Sequence, residues 1–190
     1  GLVHHLTYSP RPDLTVPYFV TDVAPVTMAA TAKALYPASA FPVLGASYFG
    51  RTGKTLVIKL WQKVVLAGAP GNFSYNLHWG TGADANGTLI CAAGTPVALQ
   101  ASVTKAIYAE FCIRCVTTGA TGTLQATGWA LADGLLITAG TLNPILIPTA
   151  GAAASAALDL TAALIPSIQV LQSGTAGTIT VQQMQVNALN

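Results

Sequence analysis

Few side chains in this sequence can do chemistry, and their spacing limits each one. The histidines are His4, His5 and His78. His78 alternates with Ser74 and Asn76 between Phe73 and Trp79, so it falls on the polar face of a strand, with no Ser-His-Asp or Cys-His set in the local sequence. Cys112 and Cys115 have the C-x-x-C spacing of zinc knuckles and redox pairs. On a strand, residues three apart point to opposite faces, so both are read as reduced fillers of a sheet, as is Cys91. Gly53-Lys54-Thr55 copies the end of a phosphate-binding loop, but Tyr48 stands where the first glycine belongs and a strand pattern follows instead of a helix. Six acidic residues spread over 190 make a carboxylate pair for glycoside hydrolysis hard to assemble. Asp84 and Asn86 sit in a glycine-containing loop that could touch calcium, although turn chemistry accounts for them. Trp61, Trp79 and Trp129 offer rings that stack on sugars where they are exposed. No catalytic, cofactor-binding or metal-ligating residue is assigned, and a non-enzymatic protein is expected.

Composition points the same way. Charged residues are 7% of the chain against a usual ~25%, while the hydrophobic fraction is 52%. Glu110 is the single glutamate. A free monomer normally covers itself with lysine and glutamate; a subunit inside an assembly has neighbours to cover its neutral and apolar surface. The net charge of +2 is spread thinly. Lys59, Trp61 and Lys63 share one strand face, read as solvated rather than as a nucleic-acid patch. No apolar run approaches the ~20 residues of a membrane helix, and Gly1 to His5 lack the pattern of a signal peptide. Neither a specific nucleic acid nor a membrane is expected as a partner.

The elements that would position these residues are strands. Lys105 to Leu131 reads as a hairpin turning over Thr117 to Gly122, with Ile107, Ala109, Phe111, Ile113 and Cys115 on one face and Tyr108, Glu110, Cys112 and Arg114 on the other. Thr55 to Leu66 predicts a strand with Leu56, Ile58 and Leu60 inward and Val57, Lys59, Trp61 and Lys63 outward. Phe73, Tyr75, Leu77 and Trp79 mark a buried face, and Thr88 to Ala92 a short strand. Asp133-Gly134 signals a tight turn before a strand over Leu135 to Thr138. Asn143 to Pro148 and Ala156 to Leu160 are weaker strand candidates. Ile168 to Leu171 and Thr178 to Val186 close the domain, the last with a bulge near Gln182-Gln183 that lets Ile179, Val181, Met184 and Val186 share one face. Turn signals at ~8 to 12 residue spacing predict an all-β antiparallel sandwich or jelly roll.

Residues 1–46 differ from the rest. Prolines recur at Pro10, Pro12, Pro17, Pro25, Pro37 and Pro42 around short apolar pieces with no folding period, which predicts an extended N-terminal arm lying on another surface, such as a neighbouring subunit. Thr27 to Leu35 contains helix formers for one or two turns. The sandwich domain is expected over residues 47–190.

The turn Gly50-Arg51-Thr52-Gly53-Lys54 with its following strand, the hairpin around Thr117 to Thr123, the segment Ala157-Leu158-Asp159-Leu160-Thr161-Ala162 and the closing Gly177 to Val186 resemble jelly-roll virion proteins of tailed bacteriophages. The resemblance covers about three quarters of the chain and leaves out residues before Ser47. It implies a structural role in the virion: a capsid decoration (cement) or minor capsid protein, made in the host cytoplasm, that contacts the major capsid protein or another virion protein. A tail or fibre component, or a carbohydrate-binding host-attachment module, is the alternative. It also favours a homotrimer among the possible homo-oligomers.

Overall fold

The computed structural model describes residues 17–92, 96–132, 144–148 and 151–189. Twelve strands lie among them: β1 (Tyr18–Thr21), β2 (Val26–Thr27), β3 (Lys33–Ala34), β4 (Thr55–Val65), β5 (Asn72–Gly80), β6 (Thr88–Ala92), β7 (Val97–Ala98), β8 (Thr104–Thr117), β9 (Thr123–Ala132), β10 (Ile145–Ile147), β11 (Ile165–Gln172) and β12 (Thr178–Ala188). Ala38–Ala40 forms a short 3-10 turn. All strand pairings are antiparallel.

Two sheets face each other. The larger has the order β1-β12-β4-β8-β9-β10 with β2 also on β12; the smaller has β3-β11-β5-β6 with β7 also on β5. Taking β1, β3, β4, β5, β6, β8, β11 and β12 as eight strands in chain order, one sheet reads first, eighth, third, sixth and the other second, seventh, fourth, fifth. That is the winding of a jelly roll, to which β9 and β10 add a further edge.

Alternation explains the core. Ile107, Ala109, Phe111, Ile113 and Cys115 of β8 are buried against Phe73, Tyr75, Leu77 and Trp79 of β5 and their neighbours. Tyr75 lies edge-on to Phe73 at 4.8 Å and to Phe111 at 5.6 Å, joining the two sheets through aromatic contacts. Its hydroxyl donates to Gln62 Oε1 at 3.2 Å, and burial pushes the phenol far above its usual pKa. In β12 the register on β4 shifts between Val181 and Gln183. This is the predicted bulge, and it leaves Ile179, Val181, Met184 and Val186 all buried. Val57, expected outward, is on the outer face yet only 7% exposed, set between Cys112 and Asn187 of the adjoining strands.

Residues 17–46 correct the arm reading. They are extended, but they lie on this chain's own sandwich. β1 and β2 pair with β12, and β3 pairs with β11. Val23, Met28, Ala34, Leu35, Tyr36, Phe41 and Leu44 are buried in the shared core. The Tyr36 hydroxyl donates to Pro166 O at 2.9 Å, and its ring stacks on Phe41. The boundary at residue 46 marks a change of composition, therefore, rather than of packing. The helical turns expected over Thr27 to Leu35 are absent as well. Met28 N–H donates to Gly177 O and Leu35 N–H to Ile168 O, so tertiary pairing overrides the local helix propensity.

Two weaker expectations also change. Ala156 to Leu160 forms no strand; Leu158 makes one bridge to Gly122, and Leu158 and Leu160 are buried beneath the β8–β9 turn. Gly122 permits this approach, since a Cβ there would stand 2.6 Å from Leu160 Cδ1. The strand expected from Asn143 appears as Ile145–Ile147. The Asp133-Gly134 turn, the strand over Leu135 to Thr138, residues 1–16 and the histidines His4 and His5 lie outside the described residues.

Candidate functional site

The pleat that buries one face of β4, β8 and β9 must present the other. Register aligns the outward residues into rows across the larger sheet. One row runs Leu146, Trp129, Glu110, Lys59, Gln185, Phe19. The next runs Leu131, Tyr108, Trp61, Gln183, Thr21.

The middle of these rows is aromatic. Trp61 and Tyr108 meet at 5.1 Å with their planes at 61°, and Tyr108 meets Trp129 at 5.2 Å and 55°. Glu110 sits beside the rings as the local acceptor: Tyr108 Oη donates to its Oε2 at 2.9 Å, and Lys59 Nζ stands 3.6 Å from the same oxygen. Burial among these neighbours, and then the Glu110 carboxylate, push the Tyr108 phenol up to about 12. The phenol therefore stays a neutral donor through the whole physiological range. Arg114 Nη2 donates to Gln125 Oε1 at 2.7 Å. Trp61 is 36% exposed. Five of the eight exposed large apolar side chains among the described residues, Phe19, Trp61, Val65, Leu131 and Leu146, lie on this face. Apolar residues scattered singly need no explanation, whereas a concentration of them on one open sheet face does call for one.

The residues weighed for other chemistry are not brought together. Cys115 points into the core, where its thiol donates to Phe49 O, while Cys112 lies on the outer face. Burial raises both thiols, and Cys91 to about 11, the opposite of the shift that activates a thiolate. Gly53 has φ +83 in a tight turn, β4 follows directly, and Lys54 Nζ stands over the Tyr48 ring at 4.0 Å. Asp84 pairs with Lys33 at 2.9 Å and accepts from Ala34 N–H; the Lys33 bond holds its carboxyl below the usual range. Asn86 Oδ1 accepts from Thr81. Both side chains are thus employed in shaping their loop. Trp79 belongs to the core, donating from Nε1 to Asp159 O at 2.8 Å. A cleft of about 350 Å³ beside Val23, Pro25, Tyr36 and Pro37 contains Asp84 as its one acidic group. Among the described residues no three His, Cys, Asp or Glu side chains cluster as metal ligands would.

Sequence reading found Trp61 and the lysines around it but not the rows. Phe19 stands 166 residues from its row neighbour Gln185, and Leu146 stands 17 residues from Trp129 with residues 133–143 between them outside the described structure. Only strand order places them on the same face. No family model, no curated protein and no solved structure matches this chain.

Proposed function

We propose that this protein is a non-enzymatic structural subunit that associates with copies of itself through the outer face of the larger sheet. The observation that carries the reading is the open aromatic face around Trp61, Tyr108 and Trp129, with its apolar flanks at Phe19 and Leu146. Such a face loses water-exposed apolar area when a second copy covers it, at roughly 25 cal/mol per Å². The lysine stems beside Trp61 can lie against a partner while their charges remain wet. The likeness of Gly50 to Lys54 and Gly177 to Val186 to phage jelly-roll proteins supports placing the subunit in a virion, as a decoration or minor capsid protein against the major capsid protein, and favours three copies. Sedimentation velocity tests the association. The wild-type protein should run as a closed oligomer and Trp61→Ala as a smaller species with an intact fold; a wild-type monomer at all soluble concentrations sinks the reading. Copy number on purified particles tests the virion placement, which requires an abundant shell component.

A second reading, attachment to carbohydrate, draws on the same ring series, because sugar faces stack on exposed tryptophan. Quenching or shift of tryptophan fluorescence on titration with oligosaccharides, lost in Trp61→Ala, would favour it over self-association.

A further inference from the structure

Strand edges carry unpaired backbone groups, and folded proteins protect them. Of the six edge elements among the described residues, five are protected, β7 by being two residues long directly after Pro96. At β3, the outward amide of Ala34 donates to Asp84 Oδ1 at 2.9 Å while Lys33 pairs with the same carboxylate. β10 is three residues long and is followed directly by Pro148. β2 is two residues long and is preceded by Pro25. The β6 pairing breaks register opposite Leu77 and His78.

β1 has Pro17 directly before it and Asp22 directly after it, but at four residues it is longer than β2, β3 or β10 and nothing described covers it. Tyr18, Phe19, Val20 and Thr21 pair in unbroken register with Val186, Gln185, Met184 and Gln183. They contain no charge and no proline. Alternation directs half of their amides and carbonyls away from β12, and no hydrogen bond reaches that side from any described residue. Phe19 is 53% exposed at the end of its row.

We propose that β1 takes a second copy of itself, antiparallel across a two-fold axis, so that the larger sheets of two molecules run on into each other. Identical neutral strands in that orientation satisfy each other reciprocally, and no like charges meet. The Phe19 side chains then cover each other where the two outer rows join. A four-residue pairing is small beside the ~1,600 Å² of a standard interface, so the contact links oligomers already held by the outer face and strengthens with their valency. It uses the strand edge rather than the sheet face proposed above, although Phe19 belongs to both. A subunit with one cyclic and one two-fold contact can close dihedral assemblies or tile a surface.

Sedimentation of the full chain, from micromolar to the highest soluble concentration, tests this beside two variants. Phe19→Lys/Thr21→Lys places charges on the edge at exposed positions and should halve the largest species without moving the thermal transition; because both residues also belong to the outer rows, the same pair combined with Trp61→Ala should turn the weak dimer into a monomer. Trp61→Ala should remove the face contact and leave a weak dimer. An unchanged mass for the lysine variant overturns the β1 pairing and leaves the face reading standing; an unchanged mass for Trp61→Ala does the reverse. Amide exchange at residues 18–21 of the wild-type protein provides a second measurement. Protection should rise with concentration, and protection already complete in a monomer overturns the proposal by showing that the chain covers its own edge.

Discussion

The outer faces of the two sheets distribute polarity and exposure in opposite ways. On the smaller sheet, β11 is polar outward, at Ser167 and Gln169, yet both residues are fully buried. The segment 81–87 folds over them: Gln169 Nε2 donates to Ala83 O and Asn86 O, and His78 Nδ1 meets Gly87 O. On the larger sheet the outward rows set Phe19, Trp61, Leu131 and Leu146 among Lys59, Glu110, Gln183 and Gln185, and these apolar side chains remain exposed. A chain built only to stay in water as a monomer gains by covering its apolar face and leaving its polar face wet. Here the cover lies on the polar side. The difference separates a face covered by the chain itself from one that, on the function proposed above, another copy covers.

The contrast can be broken most severely by removing the strands at its edge. A chain that starts at residue 47 loses β1, β2, β3 and seven buried apolar side chains. That loss is on the order of 10 kcal/mol at ~1.5–3 kcal/mol for each large side chain, as large as the ~5–15 kcal/mol stability of a typical domain. No cooperative thermal transition is expected. A sharp transition in circular dichroism would show that these strands are an appendage after all.

Within the larger sheet, the inner face should resist change that the outer face accepts. Gly128 faces inward over Phe111, and a Cβ there would meet the Glu110 carbonyl and the Phe111 ring. Gly128→Ala should lower stability by about 2–3 kcal/mol, as overpacking does, measured by urea unfolding. Next in size is Gln169→Leu, which leaves Ala83 O and Asn86 O without their donor beneath the cover. A loss of about 2 kcal/mol is expected, with faster exchange in 81–87 and no change in oligomer mass. Trp61→Ala, by contrast, should cost less than about 1 kcal/mol in the fold while altering the mass. If Gln169→Leu changes the mass and Trp61→Ala changes only stability, the two faces have been assigned the wrong roles.

The smallest effect belongs to Asp84. Its carboxyl is held low by Lys33, so the stability it contributes is present above the ordinary carboxylate pKa and is lost as pH falls through the lower folded value. Both partners are well exposed, which limits the contribution to a fraction of a kcal/mol. Thermal melts of wild type and Asp84→Asn should differ near neutral pH and converge in acid.

Much of the larger sheet was legible because its information is local. The two-residue period of Lys105 to Leu131 and of Thr55 to Leu66 marks both faces without reference to any other strand. So does the clash of phases around Gln182, which only an extra residue resolves. The attachment of residues 17–46 was hidden for the opposite reason. Tyr36 hydrogen-bonds to a residue 130 positions away, and a two-residue strand such as Lys33–Ala34 has no period to detect. The aromatic outer face was half visible. Lys59, Trp61 and Lys63 declared themselves as outward neighbours on one strand, whereas the partners that turn Trp61 into a ring series come from β8 and β9 through register alone.

The bulge at Gln182 has a consequence for how this strand tolerates change in length. It acts as a phase reset: residues before it point inward at odd positions, those after it at even ones. Gln182 itself is the unpaired residue between Val181, opposite Gln62, and Gln183, opposite Trp61, so deleting it would leave Ile179, Val181, Met184 and Val186 in plain alternation on the same face. Deleting or inserting a residue anywhere else in β12 would instead turn one half of the strand over, bringing Gln183 and Gln185 toward the core or Ile179 and Val181 out of it. Tolerance of a one-residue loss in this strand is therefore expected at the bulge and nowhere else along it.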